Sequence, residues 1–372
     1  MTEAAWANFV YEKALTCKIA RSDLDRRLDE DNLNEGSEIA VKMDTPNVEG
    51  LRFRAFVDDS DFQKMSEISQ LSWKADGVVW VESEEEIRAR FSAVKGRDPR
   101  LDIVFVEVNE STVGYSQIAW DNEVDRVKVY AHSVHLLPAW RGRGIREALF
   151  HDNEKRLEEI SSRHDFADEK YLQVWTYDEP NDWKRIVDTM GYASVWHLLE
   201  MTHERLSEVA ISSLAEGIEV RPPQEDEYHE LWELYRECFL GESWFNQYTW
   251  SEEAYRNWIR SSTFRPELIK VAWDGDDPVG IVEMLVNDEE IQRTCRKVAH
   301  AWVVCVVERW RHKGIASALL TRGLAQVRDL GIDEVLVDTE VENKHSAMEV
   351  YRKVGFEVKR TFTFHRKAIC AK

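Results

Sequence analysis

The sequence predicts an α/β (α+β) fold built as two tandem domains, each a mixed, mostly antiparallel sheet flanked by helices. Three observations carry this. Strand-forming runs come first as hairpin pairs and then alternate with helices, which is the order of a mixed sheet. A stretch of the first half returns in the second. VHLLPAWRGRGIREALF from Val134 parallels VCVVERWRHKGIASALL from Val304, with Arg141 and Arg311 170 residues apart. Each copy also holds the same junction, a strand that runs into a basic turn, a glycine and an apolar-periodic helix. Repetition at one spacing marks repeated structure, and 372 residues suit two or three domains.

Residues 1–47 read as a helical or irregular extension, helix-compatible over Ala4 to Leu28 and loop-like from Asp29 to Gly36. The first domain covers 48–203. It opens on a strand at Leu51–Phe56 and a helix from about Asp61 to Leu71, followed by an irregular aromatic stretch from Trp73 to Trp80. Ser83 and Glu86 stand as a capping box at the head of the next helix. Ile103–Val108 and Val113–Trp120 form a hairpin, and Val127–Leu137 is the central strand, which Pro138 ends by removing a ladder donor. The helix from Ile145 carries Leu149, Phe150, Leu157 and Ile160 on one side. A strand at Tyr171–Thr176, a helix at Asp182–Met190 and a strand at Ala193–Met201 complete the domain. Residues 204–217 read as a linker with some helical character.

The second domain, 218–372, repeats the order. A short strand at Glu219–Arg221 leads to a helix at Tyr228–Phe239. Leu240–Trp250 is an aromatic loop with Trp244, Phe245 and Tyr248, and Ser251–Ile259 is helical. Strands follow at Ile269–Trp273, Val279–Val286 and Val298–Val307. The helix from Ile315 comes next, then a strand at Glu334–Thr339, a helix at Ser346–Val354 and a strand at Phe356–His365.

The junction from Arg309 to Ile315 has chemical content. Glycine lets backbone approach a ligand closely, and the first turn of a helix leaves amide N–H groups without intrahelical partners. Those donors and the positive end of the helix dipole suit a phosphate. Arg311 and Lys313 add charge beside them. Strand, basic turn, glycine and helix therefore read as a diphosphate cradle. No GxxxxGK[ST] and no GxGxxG after a strand is present.

Arg311-His312-Lys313-Gly314-Ile315-Ala316 resembles the Arg/Gln-x-x-Gly-x-Gly/Ala signature of the GNAT superfamily of acyl-CoA-dependent N-acyltransferases. Asn343, Ala347, Tyr351, Gly355 and Phe356 resemble that family's downstream ending. The likeness runs from about Val48 onward and, as a tandem form, is similar to the mycothiol synthase-like architecture with its active C-terminal half. It implies that acetyl-CoA, or another acyl-CoA, is the co-substrate. Its diphosphate would lie on Arg311, His312, Lys313, Gly314, Ile315 and Ala316, and its pantetheine arm along Val304 and Val306, with Asn343 nearby. It also implies direct attack by an amine. Tyr351 matches the family tyrosine that meets the departing thiolate, and a phenol with a pKa near ~10 suits that task. His300 occupies a strand seat where the family holds a base, with an imidazole pKa near ~6.5. Glu283, Glu340 and ordered water are the substitutes. Trp244, Phe245, Tyr248, Trp250 and Glu283 are candidates for the acceptor pocket.

The first copy departs from the pattern. Arg141, Arg143 and Gly144 remain as a second possible CoA site. However, Arg146 stands where Gly or Ala is expected, and Val187 takes the place of Tyr351. His132 keeps a strand seat without that tyrosine. Catalysis is expected in the second domain; the alternatives are catalysis in the first domain, or a non-catalytic CoA-binding, sensing or interaction protein.

Composition narrows the partners. A net charge of −21 argues against a nucleic-acid backbone and suits an amine acceptor, a small molecule or a peptide amine. Five cysteines without paired spacing argue against disulfides and against a metal site, and they point to the cytoplasm. No apolar run nears the ~20 residues that span a bilayer.

Overall fold

The structure is a computed structural model and describes residues 46–369 apart from 77–81, 94–97, 123–126, 165–168, 179–180, 241–249, 251, 262 and 342–346. It divides into two compact units. The second unit is Trp196–Thr363, and the first takes the described residues up to Val195 together with Phe364 onward.

The first unit holds β1 (Leu51–Ala55), α1 (Ser60–Ala75), α2 (Glu84–Ala93), α3 (Pro99–Asp102), β2 (Ile103–Val108), β3 (Ser111–Asn122), β4 (Val127–Leu136), α4 (Ile145–Ser161), β5 (Glu169–Tyr177) and α5 (Asp182–Thr189). Strands β1 to β4 are antiparallel neighbours in chain order, and β5 joins β4 in parallel. The expected capping box is present: Ser83 N–H donates to the Glu86 carboxylate at 2.6 Å, and Glu86 N–H donates to Ser83 Oγ at 3.2 Å. Trp73, expected in an irregular stretch, lies in the last turns of α1. The helix continues through Ala75 because its buried side, Phe62, Met65, Ile68, Ser69 and Ser72, keeps helical spacing.

β6 (Ala193–His203) follows, and from Trp196 it belongs to the second unit. There it pairs antiparallel with β11 (Glu334–Glu340), from Val335↔His203 to Glu340↔Leu198. The other elements of this unit are β7 (Ile218–Arg221), α6 (Tyr228–Phe239), α7 (Glu252–Arg260), β8 (Ile269–Asp274), β9 (Asp277–Leu285), α8 (Asp288–Thr294), β10 (Val298–Val306), α9 (Ile315–Asp329) and α10 (Ala347–Val354). β12 (Glu357–Ala368) lies beside β6 in this unit and beside β5 in the first. Thr176 Oγ1 and His365 Nε2, 2.9 Å apart, and Ile369 N–H on Lys170 O at 2.9 Å fix its last residues to β5. Sequence pattern shows that β6 and β12 are strands and does not show which sheet each completes.

Between β6 and β7 the only helical turn among the described residues is Leu206–Glu208. The polar helix α8 is absent from the sequence reading, because Asp288-Glu289-Glu290 carries no apolar period. The core of the second unit packs α9, with Leu319, Leu320, Leu324 and Val327 buried, against the face of β9 that carries Val282 and Met284. Gly323 makes that contact close, since a Cβ there would stand 2.5 Å from Met284.

Candidate active site

β10 delivers the site. It pairs with β9 from His300↔Leu285 to Val306↔Gly280, but with β11 only over Val298–His300. The β10–β11 ladder therefore opens after His300, and a shift between Ala301 and Val303 re-aims the strand. The same opening occurs in the first unit, where β4 and β5 pair only as far as Ala131↔Gln173.

A cleft of about 190 Å³ lies at the open end of β10. Val304 and Val306 line the strand side. Arg311, His312, Gly314, Ile315 and Ala316 line the turn and the start of α9, and Tyr351 of α10 faces them. Gly314 caps α9 with φ 80° and ψ 2°, in the left-handed region. A Cβ on Gly314 would meet nothing within 4 Å, so the space above the helix terminus is open to a ligand. Arg311 Nε donates to Val306 O at 3.0 Å and pins the turn to the strand end. Lys313 Nζ sits 4.0 Å from the centre of the Trp310 ring, which holds its charge beside the turn.

His312 has φ 61°, where the first copy uses Gly142 at φ 69°. A non-glycine residue there stores backbone strain at the functional turn. The aligned glycine was the signal in the sequence. Sequence reasoning also missed Cys238, Phe239 and Val350, which complete the apolar wall of the cleft.

Tyr351 is 5% exposed, and its phenol makes no hydrogen bond among the described residues. Burial, with Asp338 and Cys305 adding, pushes its pKa well above 10. It is a held proton donor at any physiological pH, and a weaker acid than the sequence suggested.

His300 does not line the cleft. Its Nε2 lies 3.0 Å from Glu290 Oε2 of α8. Burial alone would lower its pKa. Glu290, Asp338 and Glu200 overcome that and leave it raised above 6.5. Glu283 is enclosed in the core of the unit, where its carboxylate accepts from Tyr235 O–H at 2.8 Å and Trp258 Nε1–H at 3.2 Å. Burial raises its pKa against those two bonds. Trp250 stacks on Trp232 with centroids 4.0 Å apart and donates to Trp232 O, which is a packing role. Trp244, Phe245, Tyr248 and Asn343 lie outside the described residues.

The first copy has the same turn with different chemistry. Gly144 has φ 80° and ψ 0°, and Arg141 Nε points to Leu136 O. But the Arg141 guanidinium grips Asp76 at 2.6 and 3.0 Å. Arg146 reaches Asp76 at 3.3 Å, Asp182 at 3.4 Å and Ser72 Oγ at 3.2 Å. Pro46 lies 3.7 Å from where a Gly144 Cβ would stand. Internal carboxylates and a covering proline thus occupy the neighbourhood of this cradle.

The Acetyltransferase (GNAT) family profile matches residues 228–356. The chain carries a GNAT-family acetyltransferase domain. That domain is of the N-acetyltransferase type. The chain is 26% identical over 289 residues to a mycothiol acetyltransferase of Geodermatophilus obscurus, covering 76% of this chain and 86% of that one. It is 27% identical over 117 residues to N-alpha-acetyltransferase 30 of Schizosaccharomyces pombe, covering 31% of this chain and 73% of that one. In fold it is similar to a GCN5-related N-acetyltransferase from Sphaerobacter thermophilus, with TM-score 0.63 and 21% identity over 87% of this chain and 97% of that one. It is also similar to a tandem GNAT protein from the clavulanic acid biosynthesis pathway, with TM-score 0.59 and 14% identity over 87% of this chain and 99% of that one. Among the described residues no cluster suits a metal ion, and no helix is long and apolar enough to cross a membrane.

Proposed function

We propose that the cleft at the head of α9 binds acyl-CoA and that acetyl transfer to an amine takes place there, in the second unit alone. The observation that carries this reading is the contrast between the two copies of one turn. Gly314 faces open space, whereas Arg141 and Arg146 beside Gly144 are already bound to Asp76 and Asp182. The diphosphate would rest on the amides at Gly314–Ala316 beside Arg311 and Lys313. The pantetheine arm would use the free side of β10 at Val304–Val306 as an added strand does. Bound there, the coenzyme would supply the acetyl group as an activated thioester.

The residues divide the remaining work. Tyr351, protonated by virtue of its burial, donates to the departing sulfur. His300 and Glu290 form a base and its orienting partner, and the raised pKa brings the imidazole closer to neutral pH. Since His300 stands outside the cleft lining, the proton reaches it through water. The acceptor is a primary amine on a small molecule or a peptide, the class on which the named relatives act.

The test compares Gly314→Val with Gly144→Val by calorimetric titration with acetyl-CoA. Both changes force a branched residue into the same left-handed backbone, so the strain is matched. Binding should weaken by about tenfold or more in Gly314→Val and stay unchanged in Gly144→Val. Equal effects, or the reverse, would defeat the assignment.

A further inference from the structure

We infer that Trp310 is a platform on which the adenine base of the coenzyme stacks, and this rests on the acyl-CoA reading of the cleft. Trp310 ends the helical turn Glu308–Trp310 that follows β10, and its side chain borders the cleft. The backbone around it is fixed. Trp310 N–H donates to Val307 O at 2.9 Å, and Arg311 N–H donates to Glu308 O at 3.1 Å. The ring is partly buried against the core of the second unit, so it stands in place before a ligand arrives.

The charge beside the ring says which face is open. Lys313 Nζ lies 4.0 Å from the ring centre, over one face. Lys313 is not among the residues that line the cleft, whereas Trp310 is. The ammonium therefore covers the face turned from the cleft and leaves the other to a ligand. The first copy serves as a control. Arg143 lies 4.7 Å from the centre of the Trp140 ring in the same way. Trp140, however, takes no part in the recess at the splay of β4 and β5. The cation–ring pair thus braces the turn in both copies, and at Trp310 the braced ring also meets a cleft.

Chain order says which part of the coenzyme reaches it. The pantetheine arm runs along Val304–Val306 and the diphosphate rests on the amides at Gly314–Ala316, which leaves the nucleoside to be placed. Trp310 comes after β10 has ended, past the track of the arm and beside the diphosphate turn. A large flat ring there suits a flat base, because every base has a π-face to stack. An alkyl arm would gain as much from any apolar side chain.

Calorimetric titration of the full-length protein with acetyl-CoA and with S-acetyl-4′-phosphopantetheine, which lacks the adenosine part, tests the inference. Trp310→Leu should weaken acetyl-CoA about tenfold and leave the phosphopantetheine ligand unchanged. Trp310→Phe, which keeps a ring, should recover most of the loss. Equal weakening of both ligands would mean that the residue supports the turn or the arm, and would overturn the platform. So would an unchanged affinity for acetyl-CoA in Trp310→Leu. If Gly314→Val still loses acetyl-CoA in that case, the cleft reading stands and the platform alone falls. Native protein that takes neither ligand would defeat both.

Discussion

Tyr351 sits four residues before Gly355, and that spacing made it visible in the sequence. Its burial did not show there, and burial decides its role. A phenol held above its usual pKa keeps its proton at neutral pH, so it can meet a departing thiolate with an O–H that hydrogen-bonds to the sulfur. Tyr351→Phe keeps the ring and its 5.8 Å contact with Phe356. It should lower kcat by about 10²-fold with little change in KM for acetyl-CoA. Steady-state kinetics with thiol detection reads both, and an unchanged kcat removes Tyr351 from the mechanism. His300 illustrates the opposite limit. The strand seat was legible, but Glu290 belongs to a helix with no apolar signature, so the ion pair was not. As a base His300 works only when deprotonated, so kcat/KM rises as pH climbs through its folded pKa. Glu290 lifts that pKa, so the rise is centred above 6.5 in the native enzyme. Glu290→Gln should move it toward lower pH. A profile that does not shift would separate Glu290 from the proton transfer.

At the scale of elements, one charged cluster explains why the two copies of a turn behave differently. Arg146 was read as an oversized residue at the cradle, and it is. Its partners lie about 70 residues upstream on α1 and at the head of α5, beyond any local pattern. Together Asp76 and Asp182 turn a would-be anion site into a structural clasp between α1, α4 and α5. Asp76→Asn leaves both Arg141 and the buried Arg146 short of a countercharge. Loss of one partner of a buried pair costs about 3–5 kcal/mol. Urea unfolding should show a loss of about 3 kcal/mol, whereas acetyl-CoA affinity should stay the same. A gain in coenzyme affinity would instead show that Asp76 blocks a latent second site. Glu283 is the matching case in the second unit. A carboxylate proposed for substrate is found tying α6 and α7 to β9 through Tyr235 and Trp258.

For the molecule as a whole, the repeat, the strand order within each hairpin and the signature helix could all be read from spacing. Local pattern marked Ala193–Met201 and Phe356–His365 as strands, close to the observed β6 and β12. It carries no information on neighbours, because side chains alternate between faces in the same way whichever strand lies alongside. Fragments expose the difference. A piece spanning residues 193–363 keeps the six β6–β11 pairs from Val335↔His203 to Glu340↔Leu198. One that starts at Ile218 lacks them and leaves β11 with an open edge. The longer fragment should be soluble and show dispersed amide resonances, and the shorter one should aggregate. Equal behaviour of the two would mean that β6 is dispensable.

The dependence of β5 on Phe364 and the residues after it also has a consequence in time. A ribosome adds about 5–20 residues per second, and 187 residues separate Tyr177 from Phe364. For about 10–40 s the early half of each nascent chain therefore waits with one sheet margin bare. In that interval the bare margin is open to pairing with another chain, and slow translation of the later half would lengthen it.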